Sequence, residues 1–314
     1  MRILFLGTPS FAAVILGHLL ASRHEIVGVV TQPPRPRGRG LKLVDPPAAA
    51  LAREREIPVF QRKALHSTRS LEELGELGAE LFVTAAFGRI LKPRLLALPS
   101  RGCWNVHTSL LPRHRGAAPA TSAILAGDLW TGVSVFELDE GMDTGPLLRQ
   151  RMTPIGATET AGELTDRLAE MGGELLVRTL DEAANGPLPS VPQPTWGASY
   201  ARLLEKEDGR IAWNRPARLV DRQVRALTPW PGAFTFRNGK RIRVHQLEPV
   251  HEIAQSAAPG TVLSLEGGVV VATLPGAVRI IEVQQEGKKR QPAPEWCRGA
   301  RLECGEQFDS SEAE

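Results

Sequence analysis

Cysteine is scarce in this sequence and forms no recognisable pattern. The chain of 314 residues has three cysteines (Cys103, Cys297 and Cys304), and no two of them have C-x-x-C spacing. This argues against a zinc site and against a disulfide framework.

Long apolar segments are also missing. No run approaches the roughly 18 consecutive apolar residues of a membrane span. The apolar stretch after Arg2 is too short for the core of an export signal. We therefore expect a globular protein in the cytoplasm.

Two common nucleotide-binding signatures are also missing. The first predicted strand is followed by Gly7-Thr8-Pro9, which supplies one glycine where a dinucleotide-binding turn needs three at fixed offsets. The phosphate-binding pattern G-x-x-x-x-G-K-[ST] does not occur anywhere in the chain. The sequence therefore argues against nicotinamide chemistry and against ATP chemistry.

Strands and helices alternate in the first half of the sequence. Arg2–Leu6 is a short apolar run typical of a buried strand, and Ser10 is the expected N-cap of a helix over Phe11–Ser22. Asp45 is expected to cap a second helix, and Thr160–Asn185 has the longest helical periodicity. This alternation predicts an α/β fold with a Rossmann-like, mostly parallel sheet and helices on both faces. Ligands of such sheets bind beyond the carboxyl ends of the strands.

The pattern changes after about residue 185. Gly186–Ser199 contains four prolines and two glycines, which indicates a linker. Short β-rich segments separated by Asn-Gly and Pro-Gly turns follow it, and they predict a small C-terminal β-barrel of the OB-like type. The expected division is a catalytic domain over 1–185, a linker over 186–204 and a β-barrel domain over 205–314. The acidic tail after Leu302 is expected to be disordered.

Two basic segments stand out although the net charge is only +3. Nine lysines and arginines lie between Arg210 and Arg243, where the only acid is Asp221. A second basic group lies in the Pro/Gly-rich segment Gln32–Leu43, whose composition predicts a mobile loop without regular structure. Separate basic patches indicate a polyanionic partner, most often nucleic acid. Ordinary solvated surface explains the same charges about equally well.

The residues suited to chemistry cluster at one predicted strand end. Asn105 and His107 are two residues apart, so their side chains point to the same face of the strand. Asp143 lies between Gly141 and Gly145, in a loop whose backbone can approach a ligand closely. These groups suit acyl transfer to an external nucleophile, because an amide and an imidazole can stabilise an oxyanion while a carboxylate orients the imidazole and handles a proton. A hydrogen-bonded histidine at a strand end beside a turn aspartate is the alternative interpretation.

Longer matches to a known family cover nearly the whole chain. They are FLGTPSFA over 5–12, TQPPRPRGRGLKL over 31–43, AFGRIL over 86–91, NVHTSLLPRHRGAAP over 105–119, DEGMDTG over 139–145 and RALTPWP over 225–231. With these motifs the chain resembles the methionyl-tRNA formyltransferases, which are folate-dependent formyltransferases. The resemblance implies that a formyl group passes from 10-formyltetrahydrofolate to the α-amino group of initiator methionyl-tRNA, without a metal.

The resemblance also implies roles for individual residues. Asn105, His107 and Asp143 would be catalytic. The folate pocket would be formed by Ser109, Leu110, Leu111, Pro112, Phe87, Gly88, Ile90, Glu140 and Gly141. The tRNA would contact Arg35, Arg37, Arg39 and Lys42 in the basic loop, and Arg218, Arg222, Arg241 and Arg243 in the second domain. A monomer is expected.

Two alternative functions stay open. Glycinamide ribonucleotide formyltransferases and sugar-amine formyltransferases share the Asn, His and Asp core. The basic insertion over Gln32–Leu43 and the C-terminal β-domain favour an RNA substrate over a small-molecule amine. A non-catalytic RNA-binding protein on the same scaffold is disfavoured, because all three catalytic residues are present.

Overall fold

The structure is a computed structural model, and it describes residues 1–37, 42–250 and 257–309. The chain folds into two compact units. The first comprises Met1–Pro119, Leu129–Pro154 and Leu164–Arg202, and the second comprises Ala120–Asp128, Ile155–Glu163 and Leu203–Glu314. Within the described ranges, no helix is both long and apolar enough to cross a membrane.

Strands and helices alternate along the first 202 residues. The strands are β1 (Arg2–Gly7), β2 (Glu25–Val30), β3 (Arg35–Arg37), β4 (Lys42–Val44), β5 (Val59–Phe60), β6 (Leu81–Ala85), β7 (Cys103–His107), β8 (Arg115–Gly116), β9 (Trp130–Glu137), β10 (Leu147–Pro154) and β11 (Tyr200–Ala201). The helices are α1 (Ser10–Leu20), α2 (Pro47–Glu54), α3 (Thr68–Gly75), α4 (Pro93–Leu96), α5 (Pro119–Ala126) and α6 (Ala161–Ala184).

The main sheet of the first unit has the strand order β10-β9-β7-β6-β1-β2-β5. The five strands from β7 to β5 in that order are parallel, while β9 and β10 run antiparallel to their neighbours. On one face Leu4 packs with Leu71 of α3, and on the other Gly172 of α6 lies against Val106. This confirms the predicted mostly parallel sheet with helices on both faces. The carboxyl ends of β1, β6 and β7 meet at one edge.

Both predicted N-caps are wrong. Helix α1 includes Ser10 and follows Pro9, and α2 follows Pro46, with no side-chain cap at either residue. Each proline holds an extended backbone, with φ of −77° and −58° respectively, so the chain enters the helix without a capping side chain. The carboxylate of Asp45 instead pairs with Arg53, with 3.0 Å between Oδ2 and Nε.

The basic segment Gln32–Leu43 contains regular structure at both ends, so the prediction of an irregular loop is wrong there. Strands β3 and β4 form an antiparallel pair in which Arg35 is opposite Val44. A two-stranded ribbon tolerates Pro36, because a proline can occupy a position whose N–H would face solvent. Residues 38–41, which include Arg39, lie outside the described residues.

The predicted linker is attached to the first unit at two places. Val191 and Leu147 exchange two backbone hydrogen bonds of 2.8 and 2.9 Å. Further along, β11 pairs in parallel with β8, and Ser199 accepts a hydrogen bond from the backbone N–H of Arg115 at 2.8 Å. The segment therefore follows a defined path over the first unit, although its prolines keep it out of helices and long strands.

The second unit contains the predicted β-rich domain. Its elements are α7 (Ala217–Ala226), β12 (Ala233–Arg237), β13 (Lys240–Val250), β14 (Val262–Ser264), β15 (Val269–Ala272), β16 (Ala277–Gln285), β17 (Gln291–Pro292) and α8 (Ala293–Ala300). The sheet has the order β12-β13-β16-β15-β14, with β17 added to β16, and every pair is antiparallel. The sequence did not predict α8 or β17.

The beginning of the acidic tail belongs to this domain. The ring of Phe308 is buried and stacks with Trp213 and Trp296 at centroid distances of 6.0 and 6.3 Å. The backbone of residues 305–309 pairs with Phe236 of β12 and with Val262 of β14, so it connects the two edge strands and closes the sheet into a barrel. The prediction of disorder is therefore wrong for 302–309, and 310–314 lie outside the described residues.

Candidate active site

Polar side chains collect at the carboxyl ends of β6 and β7. Thr84 lies opposite Asn105 in the parallel register of these strands, and His107 is the last residue of β7. The next residue after Thr84 is Ala85 and the next after Asn105 is Val106, and both of these apolar residues are buried. The alternation of β7 therefore anchors the strand and leaves its polar residues at the edge where ligands of such sheets bind.

The amide of Asn105 is held in one orientation by Thr84. The Oγ1 hydroxyl of the buried Thr84 donates to Oδ1 of Asn105 at 2.6 Å. The same hydroxyl lies farther, at 3.3 Å, from the carbonyl oxygen of Trp104, and with its proton donated to Oδ1 the Nδ2 group of the half-buried Asn105 is left to donate to a ligand. Thr84 thus sets which end of the amide is available.

The two ring nitrogens of His107 have different partners. The ring is buried, and Nε2 lies 2.9 Å from the carbonyl oxygen of His114. A carbonyl only accepts, so Nε2 carries a hydrogen. The other nitrogen, Nδ1, lies 3.7 Å from Oδ2 of Asp143. Nδ1 is therefore the nitrogen at which a proton can be gained or lost next to a carboxylate.

Asp143 is held in position by backbone groups of the loop after β7. Its Oδ2 accepts a hydrogen bond of 2.7 Å from the backbone N–H of Gly116. Gly116 has a φ of +111°, and a Cβ there would lie 2.6 Å from the carbonyl oxygen of Ala201. Only glycine fits this position, because any side chain would displace the neighbouring backbone. Asp143 itself has a φ of +54°, a conformation that aspartate tolerates better than most residues.

No side chain in this region has the properties of a covalent nucleophile. Burial raises the pKa of the Cys103 thiol to about 12, so the thiolate does not form near neutral pH. The Ser109 hydroxyl donates to the carbonyl oxygen of Arg113 at 2.6 Å and has no base beside it in the described structure. Within the described ranges, no group of three His, Cys, Asp or Glu side chains could hold a metal. The arrangement suits direct transfer to an external nucleophile.

The residues expected to form the folate pocket separate into two groups. Phe87, Ser109 and Leu111 have buried side chains, and Phe87 belongs to the hydrophobic core under the sheet. Leu110 and Pro112 are half-buried, while Gly88, Ile90, Glu140 and Gly141 are exposed. The buried residues fix the shape of the loops, and the half-buried and exposed residues offer surface that a ligand can contact.

Two polar residues absent from the sequence prediction hold the loop over Ser109–Pro112. The buried hydroxyl of Ser134 donates to the carbonyl oxygen of Ser109 at 2.6 Å and accepts from the N–H of Leu111 at 3.1 Å. Gln150 donates to Leu111 at 3.0 Å. The only signal in the sequence is a lone serine within the otherwise apolar run GVSVF of β9.

The basic residues expected to contact tRNA have different surroundings. Arg35 and Arg218 are exposed. The guanidinium of Arg222 lies against Gly127, and that of Arg241 lies 3.6 Å from the ring centroid of Phe234. Arg243 donates to Pro229, and its pKa is lowered, mainly by burial and then by Arg241 and Arg290. Arg222, Arg241 and Arg243 therefore also stabilise the second unit. The side chains of Arg37, Arg39 and Lys42 lie outside the described part of the chain.

Removing the hydroxyl that orients Asn105 is expected to slow the reaction without affecting folate binding. Thr84→Val preserves shape but releases the amide of Asn105, so we expect turnover to fall roughly tenfold, the equivalent of one hydrogen bond. Thr84→Ser keeps the hydroxyl and should stay within about twofold of the wild type. The measurement is steady-state turnover together with titration of a folate analogue. Equal rates for Thr84→Val and Thr84→Ser would show that the amide needs no support.

Comparison with known proteins identifies the family. Residues 1–180 match the family model described as "Formyl transferase", and residues 203–301 match "Formyl transferase, C-terminal domain". The chain is 44% identical to a methionyl-tRNA formyltransferase of Citrifermentans bemidjiense over 97% of this chain and 95% of the relative. It is 45% identical to that of Gluconobacter oxydans over 97% of this chain and 99% of the relative.

Solved structures share the fold at lower identity. An N-formyltransferase from Helicobacter canadensis, in complex with folinic acid and dTDP-3-aminofucose, is 20% identical with a TM-score of 0.69, over 89% of this chain and 98% of that one. HypX from Aquifex aeolicus, in complex with tetrahydrofolic acid, is 21% identical with a TM-score of 0.63. The match covers 95% of this chain and 47% of HypX, so the chain spans about half the length of HypX. The sequence relatives, matched over almost their whole length, decide the assignment: this chain belongs to the methionyl-tRNA formyltransferase family.

Proposed function

We propose that this chain transfers the formyl group of 10-formyltetrahydrofolate to the free α-amino group of initiator methionyl-tRNA. The observation that carries the proposal is the group formed by Asn105, His107 and Asp143 at the carboxyl end of β7, in a chain about 44% identical to methionyl-tRNA formyltransferases over nearly its full length. We also propose that the chain acts as a monomer in the cytoplasm, and that residues 205–314 form the tRNA-binding domain.

Asn105 and His107 stabilise the charge that develops during transfer. The amine attacks the formyl carbon, and the electron pair of the carbonyl double bond moves onto oxygen. Nδ2 of Asn105 is available as a donor, because Thr84 occupies the other end of the amide. Nδ1 of His107, when protonated, is the second donor, since Nε2 already donates to His114. Preorganised donors of this kind lower the barrier because they need no reorganisation as the charge forms.

Asp143 transfers the proton of the reaction. Its Oδ2 lies 3.7 Å from Nδ1 of His107, so the carboxylate faces the ring nitrogen that is not bonded to His114. The attacking amine loses a proton, and the folate nitrogen gains one as its bond to the formyl carbon breaks. Asp143 carries that proton directly or through water. An aminoacyl ester has a weakly basic amine, so much of it is already unprotonated near neutral pH.

Small-molecule amines are the competing acceptors, because glycinamide ribonucleotide and amino sugars are formylated by proteins of related fold. The barrel of the second unit and its exposed cations, such as Arg218, favour an RNA acceptor. The test supplies 10-formyltetrahydrofolate with each of four acceptors: initiator methionyl-tRNA, elongator methionyl-tRNA, glycinamide ribonucleotide and a nucleotide-linked amino sugar. We expect product only with methionyl-tRNA, with the initiator form preferred. Formylation of a small-molecule amine at a higher kcat/KM would overturn the proposal, as would folate binding without any product.

The basic hairpin, which consists of β3, β4 and the residues that join them, is expected to act on the tRNA and not on the folate. Arg39→Ala should lower kcat/KM for methionyl-tRNA about tenfold or more, because a charge that positions the acceptor end affects turnover as well as affinity. Folate affinity should not change.

Arg69→Ala is the matched control, since it removes the same charge from an exposed side chain on α3. A flexible Gly-Ser replacement of residues 38–41 should resemble Arg39→Ala. If both variants keep wild-type efficiency at physiological salt, the hairpin is ordinary surface.

A further inference from the structure

Gln193, in the segment predicted to be a linker, uses every polar atom of its amide on the loops of the active site. Nε2 donates to the carbonyl oxygen of Asp143 at 2.8 Å and to that of Gly145 at 2.7 Å. Oε1 accepts from Nε and Nη2 of Arg115 at 3.1 and 2.7 Å. The orientation of the amide is unambiguous, because carbonyl oxygens need a donor and a guanidinium needs an acceptor.

The loop that contains Arg115 already contacts both ionisable catalytic residues. The carbonyl oxygen of His114 accepts from His107, and the N–H of Gly116 donates to Asp143. Gln193 adds the missing connection, from Arg115 to the backbone of Asp143. The contacts form a closed ring, so the position of the Asp143 carboxylate relative to the imidazole depends on the amide of Gln193.

The neighbouring chain supports this placement of Gln193. Two residues before it, Val191 exchanges two backbone hydrogen bonds with Leu147 at the start of β10. Six residues after it, the Ser199 hydroxyl accepts from the backbone N–H of His114 at 2.9 Å. The backbone on both sides of Gln193 is therefore held in place, and it positions the Gln193 amide against the active-site loops.

We propose that Gln193 is a positioning residue for Asp143, which makes the segment before the second domain a part of the catalytic apparatus. This inference rests on the proposed function of Asp143 in proton transfer. Asp143 has a left-handed φ of +54°, and within its own loop the Asp139 carboxylate bonds to Gly141 and Thr144, whereas Gln193 bonds to the carbonyl group of Asp143 itself. By fixing the carbonyl groups of Asp143 and Gly145, Gln193 holds the carboxylate at its distance from Nδ1 of His107.

The test compares two substitutions of Gln193 with a control substitution of Thr195. Gln193→Met fills the space but donates and accepts nothing. Gln193→Glu keeps the acceptor for Arg115 but faces the two carbonyl oxygens with a carboxylate. Both should lower kcat roughly 10- to 100-fold, the size of effect expected when a reacting group is misplaced by about 1 Å. The KM for folate should stay within about threefold. Thr195→Val, an exposed change in the same segment, should match the wild type.

A double-mutant cycle separates positioning from general support of the fold. In the Asp143→Asn background, Gln193→Met should cost less than about threefold, because the group that it positions is no longer active. A purely structural role would give the same loss in both backgrounds and would overturn the inference. So would wild-type kcat in Gln193→Met. A wild type that binds folate but formylates no methionyl-tRNA would instead overturn the proposed function.

Discussion

Replacing His107 with alanine is expected to lower turnover about 10²–10³-fold, while folate affinity stays nearly unchanged. The imidazole acts on the charge that forms during transfer, so its loss raises the barrier without weakening ground-state binding. The substitution also removes the 2.9 Å hydrogen bond from Nε2 to the carbonyl oxygen of His114, which should lower the free energy of unfolding by about 0.5–1.5 kcal/mol. His107→Gln is the companion variant, because its amide can donate to that carbonyl but cannot hold a titrating proton.

Asn105→Ala should give a loss of similar size. Because both groups stabilise one charge, the double variant should lose less than the product of the two single losses. The measurement is single-turnover formylation, with folate titration and thermal unfolding as controls. If His107→Ala keeps turnover within a few-fold of the wild type, His107 has no place in the mechanism.

Asp143→Asn is expected to cause the second large loss, about 10²–10⁴-fold across the whole pH range. The amide oxygen can still accept from the N–H of Gly116, so the side chain should keep its place. Because Oδ2 makes the contacts with both Gly116 and Nδ1 of His107, the same amide oxygen still faces Nδ1 but no longer has a negative charge. The variant therefore separates the position of the side chain from its charge.

Raising the pH should not restore activity in Asp143→Asn, because an amide cannot take up the proton at any pH. The measurement is a pH profile of kcat/KM for the variant and the wild type, with folate affinity determined at each pH. Near-normal turnover, or recovery at high pH, would show that Asp143 is only a turn residue.

Features encoded within a few residues could be predicted from the sequence. The alternation of apolar segments predicted the parallel sheet, and the spacing of Asn105 and His107 placed both at the end of one strand. The glycines around Asp143 predicted the loop in which it lies. The central strands β1, β2 and β6 could be predicted because each is a local apolar run that is recognised without knowledge of a distant partner.

Features that depend on distant partners could not be predicted. Phe308 lies in an acidic tail, and only the barrel core reveals that its ring is buried between two tryptophans. Gln193 lies among prolines, and its contacts with Asp143 join residues 50 positions apart. The hairpin of β3 and β4 forms although prolines and glycines predicted an irregular loop, because cross-strand pairing outweighed local propensity. Composition alone carries no information about such pairings.

Transfer of a labelled formyl group tests the central claim most directly. Enzyme saturated with labelled 10-formyltetrahydrofolate is mixed with initiator methionyl-tRNA in a single turnover, and the label is followed into formylmethionine. The wild type should transfer the label rapidly, while His107→Ala and Asp143→Asn should bind the folate equally well and transfer it at least about 10²-fold more slowly. Label that stays on the folate in the wild type, or that moves equally fast in both variants, would contradict the account.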